Sequence, residues 1–192
     1  WLFGKNFLKK HELKIINNAV DIDKYKFNAQ TRENIRNELE CREKFVIGHV
    51  GRFCYQKNHD FLINVFYEVQ KEDKDMILLL IGEGELKEEI QEKVKKLNIQ
   101  DNVIFLGTTN KVQNYLQAMD LFVLPSRFEG LPVVGIEAQA SGTKCLFSNN
   151  ITKETKIVDN TEFLDLNVQE WKNAILNCKN VSKEYENVID DK

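Results

Sequence analysis

The sequence lacks an apolar run long enough to cross a membrane; the stretch 76–81, Met-Ile-Leu-Leu-Leu-Ile, has only the length of a strand. It also lacks an excess of basic residues, because 27 Lys and Arg stand against 30 Asp and Glu, a formal net charge of −3. This balance does not suggest a basic surface for nucleic acid. No signal peptide is visible. These absences predict a cytoplasmic protein with no transmembrane segment and no nucleic-acid partner.

Motifs for metals and disulfides are also missing. The cysteines have no short metal-type spacing, and we expect free thiols in a reducing cytosol at Cys41, Cys54, Cys145 and Cys178. None of the histidines has a metal-like partner at a useful spacing, so we expect structural or surface groups at His11, His49 and His59. No aspartate-rich motif is apparent. The sequence therefore predicts no metal and no cofactor.

What the chain does contain is a regular alternation of strand-like and helix-like segments that begins near residue 45. Short apolar runs predict buried strands, and apolar residues at helical spacing predict amphipathic helices. The predicted strands lie at 45–50, 76–81, 102–106, 121–124, 144–147 and 162–164. The predicted helices lie at 58–71, 85–97, 111–119, 133–140 and 168–177. This order favours a Rossmann-like, doubly wound α/β fold with a parallel sheet.

Two glutamates eight positions apart, Glu129 and Glu137, are the most informative feature of the sequence. The strand at 121–124 leads into a polar loop that contains Gly130, and Pro132 suits the first position of the next helix. We expect Glu129 to project from this loop, and Glu137 to lie about five residues, roughly 7 Å, into the helix. Both can then face one crevice beside a helix N-terminus, where open parallel sheets bind ligands.

Two cations follow the first core strand. Arg52 and Lys57 lie in the turn that runs from Gly51 to Asn58 and opens the next helix. A diphosphate in this turn would meet free backbone N–H groups, the positive end of the helix and both side chains. The alternative is that both cations are solvated surface groups.

Together these motifs resemble a known family. The stretch from Pro125 to Gly142 is similar to the Glu-x7-Glu signature of retaining glycosyltransferases of the GT-B fold, and within these to the family-4 group that builds bacterial capsular and exopolysaccharides. The resemblance runs from about Ile15 to Trp171. It implies the C-terminal, donor-binding half of a hexosyltransferase. The donor would be a nucleotide sugar, with uridine as the first choice of nucleoside. A sugar or lipid-linked acceptor would bind an N-terminal half that is absent here, so this fragment alone would be inactive.

The resemblance also implies roles for single residues. Arg52 and Lys57 would bind the diphosphate, and Glu129, which would orient the donor sugar, completes the expected catalytic group. Glu137 would hold the ribose. Asn58 departs from the family, which has glycine there. The remaining groups expected to contact the nucleotide sugar, several through their backbone, are Gly51, Gly82, Gly107, Gly130 and Leu131.

This interpretation divides the chain into three parts. Residues 1–40 would be a linker with a short strand at 14–20, a polar loop at 21–28 and a helix at 31–40 that has Thr31 as its N-cap. Residues 41–178 would be the nucleotide-sugar-binding domain, and 179–192 a polar tail. The chain opens at Trp1 rather than Met, as though cut from something longer. A place at the inner face of the membrane is compatible with the expected full-length enzyme.

Other classes of protein fit the alternation of strands and helices. A doubly wound nucleotide-binding or interaction module without transferase activity is the alternative. A dehydrogenase half would need a third glycine at position 87, where the chain has Lys87. A receiver-like module would need an acidic cluster after the first strand, where the chain has Gly51 and Arg52. A partner subunit with the fold but no activity is disfavoured, because all four charged site residues are present together.

Overall fold

The computed structural model describes residues 19–190, with side chains described for 19–180. The predicted sheet is present and has six parallel strands in the order β3-β2-β1-β4-β5-β6. The strands are β1 (Phe45–Val50), β2 (Met76–Ile81), β3 (Val103–Gly107), β4 (Leu121–Leu124), β5 (Lys144–Ser148) and β6 (Thr161–Leu164). The strand order reverses between β1 and β4, so a crevice is expected beyond their carboxyl ends.

Helices connect the strands and cover both faces of the sheet, which confirms the doubly wound α/β fold. They are α1 (Ile22–Tyr25), α2 (Ala29–Glu38), α3 (His59–Glu72), α4 (Lys87–Lys96), α5 (Val112–Ala118), α6 (Val133–Ala140) and α7 (Val168–Asp190). Among these helices, none is both long and apolar enough to cross a membrane.

Alternate strand residues point to opposite faces of the sheet and build two cores. On one face, Leu78 and Val123 pack with Phe66 of α3 and the fully buried Trp171 of α7. The other core joins residues of β1, β2, β4 and β5 to α1, α5 and α6, and its members include Val46, Leu79, Phe122, Leu116 and Ala138. Because both faces are covered, the central strands are almost entirely apolar, with His49 of β1 as an exception, which explains why they were predictable.

The region before β1 and the last helix differ from the predictions. Residues 21–28, predicted as a loop, contain α1. The next helix begins at Ala29 with Asn28 as its N-cap, not Thr31, because the Asn28 side chain accepts a hydrogen bond from the Thr31 backbone N–H at 2.8 Å. The predicted strand at 14–20 falls mostly on residues outside the described part. The helix predicted over 168–177 instead ends at Asp190, so it continues into the segment predicted as a polar tail.

Asp120 anchors α2 to the amino-terminal end of the sheet. Its Oδ2 accepts hydrogen bonds from the backbone N–H of Val46 at 2.7 Å and from Arg36 Nη1 at 3.1 Å. Its Oδ1 accepts a further bond from Arg32. Arg36 also donates to the Ala118 carbonyl at 3.0 Å. One carboxylate therefore joins α2, β1 and the turn between α5 and β4.

Candidate functional site

The loops after β1 and β4 lie side by side where the strand order reverses. The backbone N–H of Arg127 donates to the Gln56 carbonyl at 2.8 Å, and Asn58 Nδ2 donates to the Pro125 carbonyl at 3.1 Å. Asn58 has φ 59° and ψ 42°, a left-handed conformation that asparagine tolerates, and it caps α3. The asparagine that departs from the resembled family thus serves the turn conformation that glycine would.

Lys57 and Glu129 form an ion pair between these two loops. Lys57 Nζ lies 2.5 Å from Glu129 Oε1, and the two side chains are only 17% and 9% exposed. Ser126 Oγ donates to the same oxygen at 2.9 Å, and Gln56 Nε2 donates to Oε2 at 3.0 Å. Since the pair is largely shielded from water, the screening that weakens surface ion pairs is reduced. Gln56 and Ser126 lie within the two predicted motifs but were not predicted as site residues, because neither carries a charge.

Arg52 lies in the same turn but has another partner. Its Nη2 is 3.1 Å from Glu85 Oε2, and its side chain is 72% exposed. Arg52 lines an open cavity of about 340 Å³ together with Gly51, Gly82 and Thr108. The Lys57 side chain passes over Gly51, since a Cβ there would lie 3.0 Å from Lys57 Cδ. The two predicted cations therefore flank one turn.

Three glycines of the predicted site, Gly51, Gly82 and Gly107, lie where the turns after β1, β2 and β3 meet. Gly82 has φ +143°, and a Cβ at this position would lie 2.1 Å from the Gly51 carbonyl oxygen. Its N–H donates to the Gly107 carbonyl at 2.8 Å. Only glycine fits between these backbones. The turns after β1, β2 and β3 thus pack together and form one continuous backbone surface beside Arg52.

Glu137 is the fifth residue of α6, as predicted, and it accepts a hydrogen bond from the Tyr25 hydroxyl at 2.5 Å. Burial and then the Glu137 carboxylate raise the pKa of Tyr25 above its ordinary value. Pro132 directly precedes α6 rather than occupying its first position. Gly130 is exposed and Leu131 half-buried just before this helix. The structure therefore joins Glu129 to Lys57 directly, whereas Glu137 binds a tyrosine that sequence reasoning missed.

Removing the Tyr25 hydroxyl tests how firmly α1 is tied to α6. We expect Tyr25→Phe to lower the free energy of unfolding by about 1.5 kcal/mol, because a hydrogen bond to a charged, part-buried carboxylate is lost. Urea unfolding measures the change. Tyr115→Phe is the control, since its hydroxyl donates to the exposed Glu38 at a long 3.3 Å, and we expect a change of less than about 0.5 kcal/mol. Equal changes in the two variants would contradict this account.

Two buried histidines, His49 of β1 and His59 of α3, lie next to the turn formed by residues 51–58. His49 Nδ1 is 2.8 Å from the Val123 carbonyl, and the His59 ring stacks on Phe53 at 3.9 Å and meets His49 edge-on at 4.7 Å. His49 Nε2 and both His59 nitrogens are buried and have no hydrogen-bond partner within the described residues. Burial lowers the pKa of His49 to about 4 and that of His59 to about 2. Both rings are therefore neutral near pH 7.

Potential metal ligands do not gather in the described part of the chain. In residues 19–180 no group of three or more His, Cys, Asp or Glu side chains is placed to hold a metal ion. Within the described residues none of the four cysteines lies in a disulfide, and Cys41, Cys145 and Cys178 are buried.

The family model of the glycosyl transferases group 1 matches residues 31–190. The chain belongs to this family. A putative glycosyltransferase EpsF of Bacillus subtilis is 34% identical over 155 residues, which are 80% of this chain and 40% of the relative. The UDP-Gal:alpha-D-GlcNAc-diphosphoundecaprenol alpha-1,3-galactosyltransferase of Escherichia coli is 30% identical over 143 residues, 72% of this chain and 37% of the relative. The group 1 chain thus spans about two fifths of the length of these curated relatives.

Solved structures show the same fold for this group 1 domain. Anabaena Alr3699/HepE in complex with UDP and glucose superposes with a TM-score of 0.79 at 22% identity, over 92% of this chain and 51% of that chain. The C-terminal domain of the group 1 glycosyl transferase LpcC from Francisella tularensis superposes with a TM-score of 0.76 at 23% identity, over 86% of this chain and 90% of that domain. The Rossmann-like sheet is therefore that of GT-B glycosyltransferases.

Proposed function

We propose that this chain is the donor-binding half of a retaining, family-4 hexosyltransferase of the GT-B fold. It binds a nucleotide sugar, with UDP as the nucleotide, for transfer to a polysaccharide or lipid-linked acceptor that a second, N-terminal half holds. The observation that carries the proposal is the shielded Lys57–Glu129 pair at the switch point of the sheet, with Arg52 on the same turn. Membership of the group 1 family supports the same conclusion.

Arg52 and Lys57 are suited to stabilise the diphosphate as it leaves the donor sugar. As the bond from sugar to diphosphate breaks, the sugar gains oxocarbenium character and negative charge grows on the diphosphate. Arg52 offers a planar fork of N–H donors and Lys57 a point charge, both suited to phosphate oxygens. Backbone N–H groups of Gly130 and Leu131, just ahead of α6, would add further donors to this charge. Fixed donors aimed at developing charge lower the barrier.

The two carboxylates fit the hydroxyl groups at either end of a nucleotide sugar. Glu129, in the loop after β4, would accept hydrogen bonds from the donor sugar, and Glu137, on α6, from the ribose. Tyr25 holds Glu137 in this structure, so it would orient the carboxylate for the ribose. Gly51, Gly82 and Gly107 would lie beside the nucleotide, and Gly82 lets the turns after β1 and β2 pack backbone against backbone.

The choice of UDP and of acceptor draws support from related proteins. The Anabaena structure holds UDP and glucose, and the Escherichia coli relative is named for UDP-Gal and a diphosphoundecaprenol-linked acceptor. A lipid-linked acceptor would place the full-length enzyme in the cytoplasm at the inner face of the membrane. The chain alone would bind donor but transfer little or no sugar, because the acceptor site belongs to the other half.

Calorimetric titration of this chain with UDP and with GDP tests the proposal. We expect UDP to bind, and Lys57→Ala to weaken UDP at least about tenfold, because a charge-assisted contact to phosphate is lost. Lys95→Ala removes the same charge from the exposed surface of α4, and this control should leave the affinity unchanged. No heat with either nucleotide at millimolar concentration would overturn the proposed function.

A further inference from the structure

We infer that Glu129 makes the site prefer a nucleotide sugar over the free nucleoside diphosphate, and so promotes release of the product. The inference rests on the proposed function, in which Lys57 contacts the diphosphate. It goes further by assigning Glu129 a second role, as a negative charge that selects between two ligands with the same nucleotide.

Glu129 cannot easily move away when a ligand arrives. Lys57 Nζ at 2.5 Å and Ser126 Oγ at 2.9 Å both donate to its Oε1, while Gln56 Nε2 donates to its Oε2 at 3.0 Å. Its backbone also pairs with Ile151 in an isolated parallel bridge. A carboxylate has about four lone-pair sites, so these three donors leave room for about one more. The charge is therefore fixed in place, and its remaining acceptor site suits one sugar hydroxyl.

Lys57 brings this negative charge close to any phosphate that it binds. An ammonium group has three N–H donors, so Lys57 can contact a phosphate oxygen while it keeps its bond to Glu129. The 2.5 Å contact between Lys57 Nζ and Glu129 Oε1 and a phosphate contact of about 2.8 Å together place the phosphate oxygen within about 5.3 Å of the Glu129 carboxylate. With the two side chains only 17% and 9% exposed, salt and water screen this repulsion weakly.

The donor and the product differ by about one negative charge at the phosphate that Lys57 would contact. The terminal phosphate of a free nucleoside diphosphate has an ionisation near pH 6, as phosphate monoesters do, and it carries nearly two charges at pH 7.5. In a nucleotide sugar the same oxygen is bonded to the sugar, so this phosphate carries one charge. The sugar also offers hydroxyl donors to the free lone pair of Glu129. Glu129 therefore repels the product more than the donor.

The isosteric variant Glu129→Gln separates these effects, because it removes the charge and keeps the size of the side chain. We expect calorimetry at pH 7.5 to show UDP binding about tenfold tighter to Glu129→Gln than to the parent. UDP-glucose should bind more weakly than to the parent or equally well, so the dissociation constant of UDP falls relative to that of UDP-glucose. Glu129→Ala should show the same gain for UDP, and thermal unfolding of both variants checks that they are folded.

Glu137→Gln is the matched control. It removes the same charge from the other predicted carboxylate, which binds Tyr25 rather than Lys57, so UDP and UDP-glucose should weaken together and their ratio should stay constant. Parent-like or weaker UDP binding by both folded Glu129 variants would overturn the inference while leaving the proposed function standing. An equal shift of the ratio in Glu137→Gln would overturn it as well. Failure of the parent to bind either ligand would overturn the proposed function and this inference with it.

Discussion

Asp120→Ala is expected to lower the free energy of unfolding by about 3–5 kcal/mol, the cost of removing one member of a buried charged network. The carboxylate accepts bonds from Arg32, Arg36 and the backbone N–H of Val46. The Arg36 side chain is only 10% exposed. Its guanidinium would keep its charge without the compensating carboxylate, and the Val46 N–H would lose its side-chain acceptor. The variant would therefore loosen α2 from the sheet as well as reduce global stability.

Urea unfolding followed by circular dichroism measures this change. Glu33→Ala is the control, because Glu33 also pairs with an arginine, Arg42, at 2.7 Å, but with both side chains more than half exposed. Exposed ion pairs contribute little, so the control should change stability by less than about 0.5 kcal/mol. Asp120→Asn, which keeps a hydrogen-bond acceptor but no charge, should fall between the two. Parent-like stability of Asp120→Ala would show that Asp120 does not anchor α2.

The sheet was predictable because its central strands are buried on both faces. Met76–Ile81 is an unbroken apolar run, and such a run of strand length between turn signals has few other interpretations. The region of α1 was not predictable, because long-range contacts hold it. The buried Gln117 donates to the Tyr25 carbonyl at 3.0 Å and accepts from the Asn28 N–H at 3.0 Å. The helix α1 has only four residues. Gln117 lies 92 positions from Tyr25 and 89 positions from Asn28. A helix that is held by such distant contacts shows no periodic pattern in its own sequence.

It was predictable which loops form the candidate site, but not which side chain each charged residue binds. β1 and β4 are neighbours at the switch point, so the loops that carry Lys57 and Glu129 had to lie together. Which group each charge binds depends on side-chain geometry between distant segments. Arg52 binds Glu85, 33 positions away, and Glu137 binds Tyr25, 112 positions away. No local pattern encodes such pairs.

A fall in pH from 7 to 5 is expected to cost about 4 kcal/mol of unfolding free energy through His49 and His59 alone. Burial lowers their pKa values to about 4 and about 2 in the folded protein, whereas an unfolded histidine titrates near 6.5. Below pH 6.5 the unfolded chain therefore binds protons that the folded chain does not. Each histidine then lowers stability by about 1.4 kcal/mol per pH unit until the pH reaches its folded pKa. The full contribution is present above pH 6.5.

Urea unfolding at pH 7, 6 and 5 tests this prediction, and a single variant isolates its cause. His59→Leu removes one titrating ring whose two nitrogens have no partner in the described structure, so the loss of stability between pH 7 and 5 should fall to about half. Free Asp and Glu side chains titrate near pH 4, below this window, so we expect the two histidines to dominate the slope. Gln139→Leu is the control for a buried polar residue that does not titrate: it removes hydrogen bonds to the Gly135 and Thr155 carbonyls and should lower stability equally at every pH. An unchanged pH slope in His59→Leu would contradict the assignment of acid sensitivity to this pair, whatever the stability of the variant at pH 7.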